Sequence, residues 1–327
     1  MKFNVLGNTG LSLSAIGFGT WGIGGSGYFL SWGEQNDHDS ISAIRGAFDI
    51  GINWIDTSPI YGLGHSEKLI AKVIKGFREQ IIISSKCGFR WDETKKIFSN
   101  LKKESIRLEV EESLKRLETD VIDLYQIHRP TPEEDIEGAW DTLNDLIKEG
   151  KIRFAGVSTF SLEQLKRVHA MHPVSFIQPP YSIVQYEIEE NGILDFCKAN
   201  RIGVIAYSPV YSGLLSGKLS KEKIENFSPA DIRRQLEYFK EPFLTPVLEM
   251  LDEVRLVVER NNKTIPQMVI AWVLRRPEVT SAIVGARKPL QIEQNLPAVD
   301  WVFPDADRVE LDEIIKRFHI RLKGLKT

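Results

Sequence analysis

Short, continuously apolar runs alternate with longer stretches of helical periodicity along the whole chain. The apolar runs are rich in β-branched residues and do not alternate with polar ones, which is typical of parallel strands buried on both faces. They predict eight strands, at residues 13–20, 52–58, 81–86, 121–128, 152–158, 175–182, 203–209 and 281–286.

Amphipathic patterns fill the intervals between these runs. In residues 105–117, for example, Ile106, Val110, Leu114 and Leu117 recur at helical spacing, with charged residues on the opposite face. The same periodicity predicts helices at 39–51, 105–117, 132–150, 161–170, 191–200, 245–261 and 289–296. A strand followed by a helix, repeated eight times, favours an α/β fold of the (β/α)8 TIM-barrel type. A doubly wound open sheet is the alternative, since it is built from the same units.

Three further segments complete the predicted architecture. Residues 1–13 are interpreted as an N-terminal β-hairpin that turns at residues 8–10. Residues 212–242 are long, polar and irregular, which is typical of a functional or mobile loop. Residues 305–319 predict an extra C-terminal helix. Because no linker or break in composition interrupts the chain, we expect a single domain over residues 1–327.

Composition narrows the class of protein. The chain has 327 residues, which suits one α/β barrel with insertions. Hydrophobic residues make up 42% and charged residues 27%, the proportions of a globular protein. The net charge of -3 argues against nucleic acid as a partner, because such binding usually needs a clustered basic excess.

Signals of export, membrane insertion and metal binding are missing from the sequence. No apolar run approaches the roughly 20 residues that span a bilayer, and the first ten residues hold no apolar core of a signal peptide. Cys87 and Cys197 form no CxxC pair, and the six histidines are scattered. We therefore expect a cytoplasmic protein in a reducing compartment, with no metal and no membrane partner.

Four chemically reactive side chains fall at, or just after, the ends of predicted strands. Asp56 ends the second strand, and Tyr61 lies in the loop that follows it. Lys86 ends the third strand and His128 the fourth. In an α/β barrel the active site forms at the carboxyl ends of the strands, and consecutive strands are neighbours. We therefore expect these four side chains to converge on one spot.

Together these groups can handle a proton at a carbonyl oxygen. Hydride delivery to a carbonyl carbon leaves negative charge on the oxygen, which needs a proton donor within about 3 Å. A free tyrosine has a pKa of about 10, and we expect the Lys86 ammonium to lower the pKa of Tyr61. Asp56 would hold Lys86, and His128 would orient the substrate oxygen. Each residue also has an ordinary structural alternative. Asp56 could cap a helix and Tyr61 could pack within its loop. Lys86 could be a solvated strand end, and His128 could be a buried histidine with no catalytic role.

Six segments, all in register, resemble motifs of the aldo-keto reductases. Residues 52–74, INWIDTSPIYGLGHSEKLIAKVI, are similar to the family signature that carries the catalytic Asp and Tyr. The other five segments are SSKCG (84–88), DLYQIHRP (123–130), GVSTF (156–160), IAYSPVYSGLLSGK (205–218) and IVGARKPLQIEQN (283–295). The loop at 212–242 and the GARKP segment resemble the bacterial and potassium-channel β-subunit branches more than the mammalian steroid-converting branch.

This resemblance implies an activity and a mechanism. It implies an NADP(H)-dependent oxidoreductase that moves a hydride between the nicotinamide and an aldehyde or ketone, or the corresponding alcohol or sugar. Tyr61 would be the general acid/base of a catalytic tetrad with Asp56, Lys86 and His128. The alternative is an NADPH-binding, redox-sensing regulatory subunit with little turnover. The expected partner is a small carbonyl compound or sugar, while its identity and the oligomeric state stay open.

The resemblance also implies a binding site for NADPH, with NADH as the alternative cofactor. The implied contact residues are Gly19, Thr20, Trp21, Asp56, Ser158, Gln178, Tyr207, Ser208, Val210, Gly213, Lys218, Gly285, Arg287, Gln291 and Asn295. Two positions depart from the family pattern. Thr159 stands where an asparagine is usual, and Gln291 stands where the mammalian branch commonly has an arginine for the 2′-phosphate. We expect Arg287 and Lys288 to bind that phosphate instead, at the start of a helix.

Two remaining patterns concern the loops around the expected pocket. Gly22, Gly24 and Gly27 match the GxGxxG pattern of a Rossmann dehydrogenase, but no helical pattern opens directly after them. We therefore favour a flexible loop that borders the pocket. The expected substrate rim is rich in aromatic residues, which favours an apolar or sugar-stacking pocket; its members are Trp21, Tyr28, Phe29, Trp32, Trp91, Arg129 and Tyr211.

Overall fold

The strands and helices of the structure follow the alternating pattern of the sequence. The structure, a computed structural model, describes residues 1–326. Its strands are β1 (Phe3–Val5), β2 (Ser12–Ser14), β3 (Ile16–Gly19), β4 (Trp54–Asp56), β5 (Ile82–Cys87), β6 (Phe89–Trp91), β7 (Ile97–Ser99), β8 (Ile122–Ile127), β9 (Ile152–Ser158), β10 (Phe176–Gln178), β11 (Gly203–Ala206) and β12 (Val279–Gly285). Its α-helices are α1 (Asp37–Asp49), α2 (His65–Ile74), α3 (Lys103–Leu117), α4 (Ile136–Lys148), α5 (Leu162–Met171), α6 (Ile193–Asn200), α7 (Lys221–Glu225), α8 (Leu244–Arg260), α9 (Ile265–Leu274), α10 (Pro289–Asn295) and α11 (Asp305–Lys326).

Eight parallel strands form a closed ring, and they are the eight strands predicted from the sequence. Their order around the ring is β3, β4, β5, β8, β9, β10, β11 and β12. The ring closes where β12 pairs with β3, with Ala282 opposite Ile16 and Gly285 opposite Gly19. This is a (β/α)8 TIM barrel, so the alternative of a doubly wound sheet, which has two open edges, is wrong.

The N-terminal hairpin, formed by β1 and β2 as predicted, closes the end of the barrel where the strands begin. Leu6 and Leu13 of the hairpin are fully buried and pack against Trp54 at the start of β4. Gly7 has a φ of +50°, and a Cβ atom there would lie 2.5 Å from the backbone nitrogen of Gly203. Only glycine permits this conformation and this approach. The barrel is therefore open only at the carboxyl ends of its strands.

Some elements differ from the sequence prediction. α1 begins two residues earlier than predicted, because the side chain of Asn36 accepts a hydrogen bond from the backbone N–H of His38 at 2.7 Å and caps the helix. α11 extends beyond residue 319, as far as Lys326. The sequence pattern does not predict α2, α9 or the antiparallel pair β6 and β7. α9 is buried on nearly all sides and therefore lacks a polar face, and β6 and β7 are only three residues each.

The polar segment after β11 is held by buried aromatic side chains, which its overall composition hides. Tyr238 and Phe239 are 1% and 3% exposed. Their rings lie 5.2 Å and 6.2 Å from the ring of Tyr211, measured between centroids. This packing fixes the segment beside the open end of the barrel.

Candidate active site

A cavity of about 890 Å³ opens at the carboxyl ends of the barrel strands. Asp56, Tyr61 and His128 of the predicted tetrad line it, and Lys86 lies against Asp56. Every residue that the resemblance assigned to the cofactor also lines this cavity: Gly19, Thr20, Trp21, Asp56, Ser158, Gln178, Tyr207, Ser208, Val210, Gly213, Lys218, Gly285, Arg287, Gln291 and Asn295. The structure thus brings both predicted groups of residues into one place.

Asp56 and Lys86 form a buried ion pair beneath the cavity. Lys86 Nζ donates to Asp56 Oδ2 at 2.7 Å and to the carbonyl oxygen of Thr57 at 2.8 Å. Asp56 Oδ1 accepts hydrogen bonds from Ser84 Oγ at 3.1 Å and from Gln178 Nε2 at 2.8 Å. Burial lowers the pKa of Lys86, and the charge of Asp56 opposes that shift. The pair is therefore fixed in position by four hydrogen bonds, with its two charges balanced.

Tyr61 lies in the loop between β4 and α2, with its ring beside Lys86. Lys86 Nζ is 5.2 Å from the ring centroid of Tyr61, and the ring of Trp21 stacks on it with 6.2 Å between centroids. The Tyr61 hydroxyl makes no hydrogen bond to any of residues 1–326, so it can donate to a bound molecule. Desolvation and then the charge of Asp56 raise the pKa of Tyr61 well above its usual value.

The expected lowering of the Tyr61 pKa by Lys86 is therefore wrong for the protein alone. Asp56 neutralises the charge of Lys86 at 2.7 Å, so desolvation of the phenol dominates. Tyr61 is consequently protonated at neutral pH, which is the state that a proton donor needs.

A close contact between two loops fixes the backbone at Tyr61. Gly62 has a φ of +65°, and a Cβ atom there would lie 2.1 Å from the carbonyl oxygen of Gly24. Gly22, Gly24 and Gly27 belong to the loop before α1, and that helix begins only at Asp37. These glycines do not open an α-helix, and Gly22 lines the cavity, so the Rossmann interpretation is wrong and the interpretation as a bordering loop is confirmed.

His128 stands next to Tyr61 and is electrically neutral. The two rings meet edge to face, with 6.1 Å between centroids, and the ring of Phe89 packs at 5.3 Å. His128 Nδ1 lies 3.3 Å from Ser58 Oγ, and Nε2 has no hydrogen-bond partner within residues 1–326. Burial, together with the charges of Lys86 and Arg129, lowers the pKa of His128 well below its usual value. The imidazole can therefore offer Nε2 to a substrate oxygen.

Polar side chains at the ends of β9, β10 and β11 share one wall of the cavity. Ser158 Oγ donates to the carbonyl oxygen of Gln178 at 2.9 Å, and Thr159 Oγ1 lies 3.4 Å from the hydroxyl of Tyr207. Thr159 has a φ of +61°, a left-handed conformation that β-branched residues rarely adopt. The backbone is thus strained at the position where the sequence departs from the family's asparagine.

The backbone after β11 turns through several left-handed residues. Ser208, Tyr211 and Gly213 have φ values of 58°, 42° and 88°. Val210 and Lys218 line the cavity beside them. Consecutive N–H groups in such turns form concave surfaces that bind anions. This side of the cavity can therefore hold a phosphate group.

At the far end of the cavity, Arg287 and Gln291 are engaged with other protein groups. Gln291 Oε1 accepts from the backbone N–H groups of Arg287 and Lys288 at 2.8 Å and 3.1 Å. These two backbone N–H groups are therefore engaged within the protein. Arg287 Nε donates to Gln35 Oε1 at 2.6 Å, and Arg287 Nη2 donates to the carbonyl oxygen of Glu34. Arg287 thereby joins the loop before α1 to the loop before α10.

Sequence reasoning missed a set of residues from the loop after β11 and from α8 and α9. Among the lining residues of the described chain, the carboxylates are Asp56 and Glu259, whereas cations are frequent at the far end: Lys218, Arg233, Arg255, Lys263 and Arg287. One signal could have located part of this set. Thr264 and Gln267 form a capping box at the start of α9, with Pro266 in the first turn.

The predicted substrate rim is confirmed only in part. Its members that line the cavity are Trp21, Phe29, Trp32, Arg129 and Tyr211. Within residues 1–326, Tyr28 and Trp91 lie outside the lining. Tyr28 is buried, and burial raises its pKa to about 12. Trp91 is on β6 and packs 5.9 Å and 6.0 Å from the guanidinium groups of Arg90 and Arg116. Phe89, which was not predicted, lines the cavity instead.

Residues 1–326 hold neither a cluster of metal-ligating side chains nor a membrane-spanning helix. There, no group of three or more His, Cys, Asp or Glu side chains is arranged to hold a metal ion. No helix in the same range combines the length and the apolar character needed to cross a bilayer. Both cysteines, Cys87 and Cys197, are buried and free.

Both the fold and the strand-end residues match one family of enzymes. The model of the aldo/keto reductase family matches residues 15–316. The chain is 37% identical over 319 residues to the aldo-keto reductase YhdN of Bacillus subtilis, which covers 97% of this chain and 94% of that protein. It is 33% identical over 328 residues to the NADH-specific methylglyoxal reductase of Escherichia coli, covering 96% and 98%. The chain belongs to the aldo/keto reductase family. It is an NAD(P)H-dependent oxidoreductase.

Solved structures agree with this assignment. The glycerol dehydrogenase AKR11B4 from Gluconobacter oxydans is similar with a TM-score of 0.85 and 33% identity, over 97% of this chain and 95% of that chain. The aldo-keto reductase AKR11C1 from Bacillus halodurans, at 24% identity, has the same fold with a TM-score of 0.80, over 97% and 96% of the two chains. The resemblance stated from the sequence motifs is confirmed.

Proposed function

We propose that this chain is an NADP(H)-dependent carbonyl reductase in which Tyr61 is the general acid for reduction and the general base for the reverse reaction. The observation that carries the proposal is the buried Asp56–Lys86 pair beside a Tyr61 hydroxyl that has no protein partner in the described chain. When bound, the reduced nicotinamide supplies the hydride to the carbonyl carbon.

The protein supplies the proton. Tyr61 donates it to the carbonyl oxygen as negative charge develops there, so that C=O becomes a C–O single bond with new C–H and O–H bonds, and Tyr61 is left as a phenolate. The Asp56–Lys86 pair, with Lys86 Nζ 5.2 Å from the ring centroid, lies beside that phenolate. If Ser58 donates to His128 Nδ1, then Nε2 carries the imidazole proton and donates to the same substrate oxygen, which orients the carbonyl.

The cavity suits an anionic dinucleotide. Ser158 and Gln178 would offer polar groups for a carboxamide, and Tyr207, which lines the same cavity, would stack on the nicotinamide. The left-handed turns after β11 suit a pyrophosphate. The excess of cations at the far end supports a preference for NADPH, which carries the additional phosphate. The alternative is a preference for NADH, which is the cofactor of the NADH-specific relative from Escherichia coli.

Replacement of the proton donor tests the proposal. Tyr61→Phe should lower turnover with NADPH and a panel of aldehydes and ketones by about 10²–10⁴-fold, because general acid catalysis has that magnitude. The affinity for NADPH should change little. Tyr186→Phe, which alters a tyrosine stacked on His319 far from the cavity, is the matched control.

Two outcomes would contradict the proposal. Turnover of Tyr61→Phe close to the wild-type value would remove Tyr61 from the mechanism. Tight NADPH binding by the wild-type protein, with negligible turnover across the whole panel, would instead favour the redox-sensing regulatory subunit.

A further inference from the structure

Arg129 places a positive charge at the substrate end of the cavity. It follows His128 directly after β8, its side chain is exposed, and it lines the same cavity as Tyr61 and His128. Its charge acts on both of these groups: it opposes the rise in the Tyr61 pKa that desolvation causes, and it adds to the fall in the His128 pKa that burial causes. Arg129 is thus close enough to influence whatever lies between them.

Nothing in the described chain neutralises this charge. Within residues 1–326, Arg129 makes no ion pair and no side-chain hydrogen bond. Nearby, the charges of Asp56 and Lys86 cancel at 2.7 Å, and His128 is neutral. The other lining carboxylate, Glu259, belongs to α8, where it accompanies cations. The substrate end of the cavity therefore carries a net positive charge.

Apolar side chains line the cavity that Arg129 shares with Tyr61 and His128. Trp21, Phe89 and Phe29 line it together with Ile97 of β7. Trp21 stacks on Tyr61 and Phe89 packs on His128, so apolar surface reaches the two groups that meet the carbonyl oxygen. A ligand that fits this arrangement has its carbonyl at Tyr61, a short apolar middle, and a negative charge at the mouth of the cavity.

We propose that Arg129 is a specificity-determining residue that binds an anionic group on the substrate, so that the preferred substrates are aldehydes or ketones bearing a carboxylate or a phosphate. A guanidinium group suits both anions, because its forked donors match two oxygen atoms at once. This inference rests on the proposed function, since it identifies the substrate class of the same site.

Pairs of charged and neutral aldehydes test the inference. Succinic semialdehyde is compared with butanal for the carboxylate, and glyceraldehyde 3-phosphate with glyceraldehyde for the phosphate. In the wild-type enzyme, kcat/KM should be at least about 10-fold higher for the charged member of one pair, since a charge-assisted hydrogen bond has about that effect. The pair that shows the preference identifies the anion.

The variants separate charge recognition from a general defect. Arg129→Gln should remove the preference, chiefly through KM of the charged aldehyde, so that the ratio of kcat/KM between the charged and the neutral aldehyde falls by about 10-fold. Arg129→Lys should restore part of it, because the charge remains but the fork is lost. Arg45→Gln, an exposed arginine on the outer helix α1, is the control and should change neither.

The inference would be overturned if Arg129→Gln lowered kcat/KM equally for the charged and the neutral aldehydes. It would also be overturned if the wild type preferred the neutral member of both pairs. A binding measurement keeps the test independent of turnover. Isothermal titration of the NADP⁺-loaded protein with each charged aldehyde should give tighter binding to the wild type than to Arg129→Gln for at least one of them. If the wild type and Arg129→Gln bound both charged aldehydes with equal affinity, the role of Arg129 would be contradicted. If no aldehyde were turned over, the proposed function would be contradicted.

Discussion

Lys86 Nζ lies 2.7 Å from Asp56 Oδ2, and the two side chains are only 1% and 4% exposed. A buried charge is tolerated when its partner and its hydrogen bonds are present, and it is costly when the partner is removed. The pair therefore links the stability of the barrel to the chemistry at Tyr61. Each partner keeps the other charged and fixed beneath the phenol.

Asp56→Asn is expected to destabilise the fold in a pH-dependent way. Leaving Lys86 unpaired should cost up to about 3–5 kcal/mol near neutral pH. Without Asp56, the pKa of Lys86 falls further below its value in the unfolded chain, so the unfolded state binds more protons. Stability of the variant should therefore rise with pH, and its deficit against the wild type should shrink. Urea unfolding between pH 6 and about 9 measures this.

The double variant Asp56→Asn/Lys86→Met is the control for that experiment. It removes the unpaired charge along with the carboxylate, so it should be more stable than Asp56→Asn alone. A deficit of Asp56→Asn that stays constant or grows with pH would contradict the proposed coupling.

The sequence could place the tetrad because strand ends are readable from the sequence. Asp56, Lys86 and His128 each end an apolar run, and parallel neighbours in a barrel bring such residues together. The direction of the Tyr61 pKa shift was not readable in this way. It depends on how completely the folded chain desolvates the phenol and on the distance between the two charges beneath it.

Glu109 supports a second stability prediction with the opposite sign. Its side chain is buried, and Oε2 accepts hydrogen bonds from the backbone N–H groups of Gly88 at 3.0 Å and Phe89 at 3.3 Å. Burial raises the pKa of Glu109 to about 8, whereas an unfolded glutamate titrates near 4.3. The folded state therefore holds a proton that the unfolded state has lost, and stability should fall as the pH rises through this window.

Glu109→Gln should flatten this dependence. The amide keeps the shape and an accepting oxygen but does not titrate. The free energy of unfolding of the wild type, minus that of the variant, should decrease by up to about 1.4 kcal/mol per pH unit between pH 5 and 7. Chemical unfolding of both proteins at several pH values gives this difference, in which the other titrating groups cancel. A pH-independent difference would show that Glu109 is ionised in the folded protein.

Relief of the strain at Thr159 gives a third prediction. Asparagine tolerates the left-handed conformation better than threonine, so Thr159→Asn should stabilise the protein by about 1 kcal/mol. By the resemblance to the family, the amide should also strengthen cofactor binding. Thr159→Val keeps the branched Cβ and should give neither gain. Thermal unfolding and fluorescence titration with NADPH measure the two effects. A Thr159→Asn protein less stable than wild type would mean that the contact with Tyr207 outweighs the strain.

Some of the site depends on contacts between distant parts of the chain, which no local pattern records. Arg287 and its partner Gln35 are 252 residues apart in the sequence. The resemblance placed Arg287 and Gln291 at the adenosine end, but it could not show that Gln291 caps the N–H groups of Arg287 and Lys288. The contact between Arg287 and Gln35 forms only once the loop before α1 packs against the residues that follow β12, so it becomes visible only in the structure.

The contact between Arg287 and Gln35 gives the last prediction, which concerns the choice between NADPH and NADH. Nε and Nη2 of Arg287 already donate to protein oxygens, but Arg287 lines the cavity and its Nη1 makes no hydrogen bond within residues 1–326. A charge-assisted hydrogen bond is worth about 1.5–3 kcal/mol, so Arg287→Ala should weaken NADPH binding by about one to two decades more than it weakens NADH binding. Gln35→Ala removes the loop contact without removing the charge, so it should weaken the binding of both cofactors alike.

Fluorescence titration with NADPH and with NADH, at one salt concentration, compares the affinities of the wild type, Arg287→Ala and Gln35→Ala. Equal affinity of the wild type for NADPH and NADH would contradict the phosphate preference. If Arg287→Ala weakened both cofactors as Gln35→Ala does, Arg287 would act by positioning the loop and not by binding the phosphate.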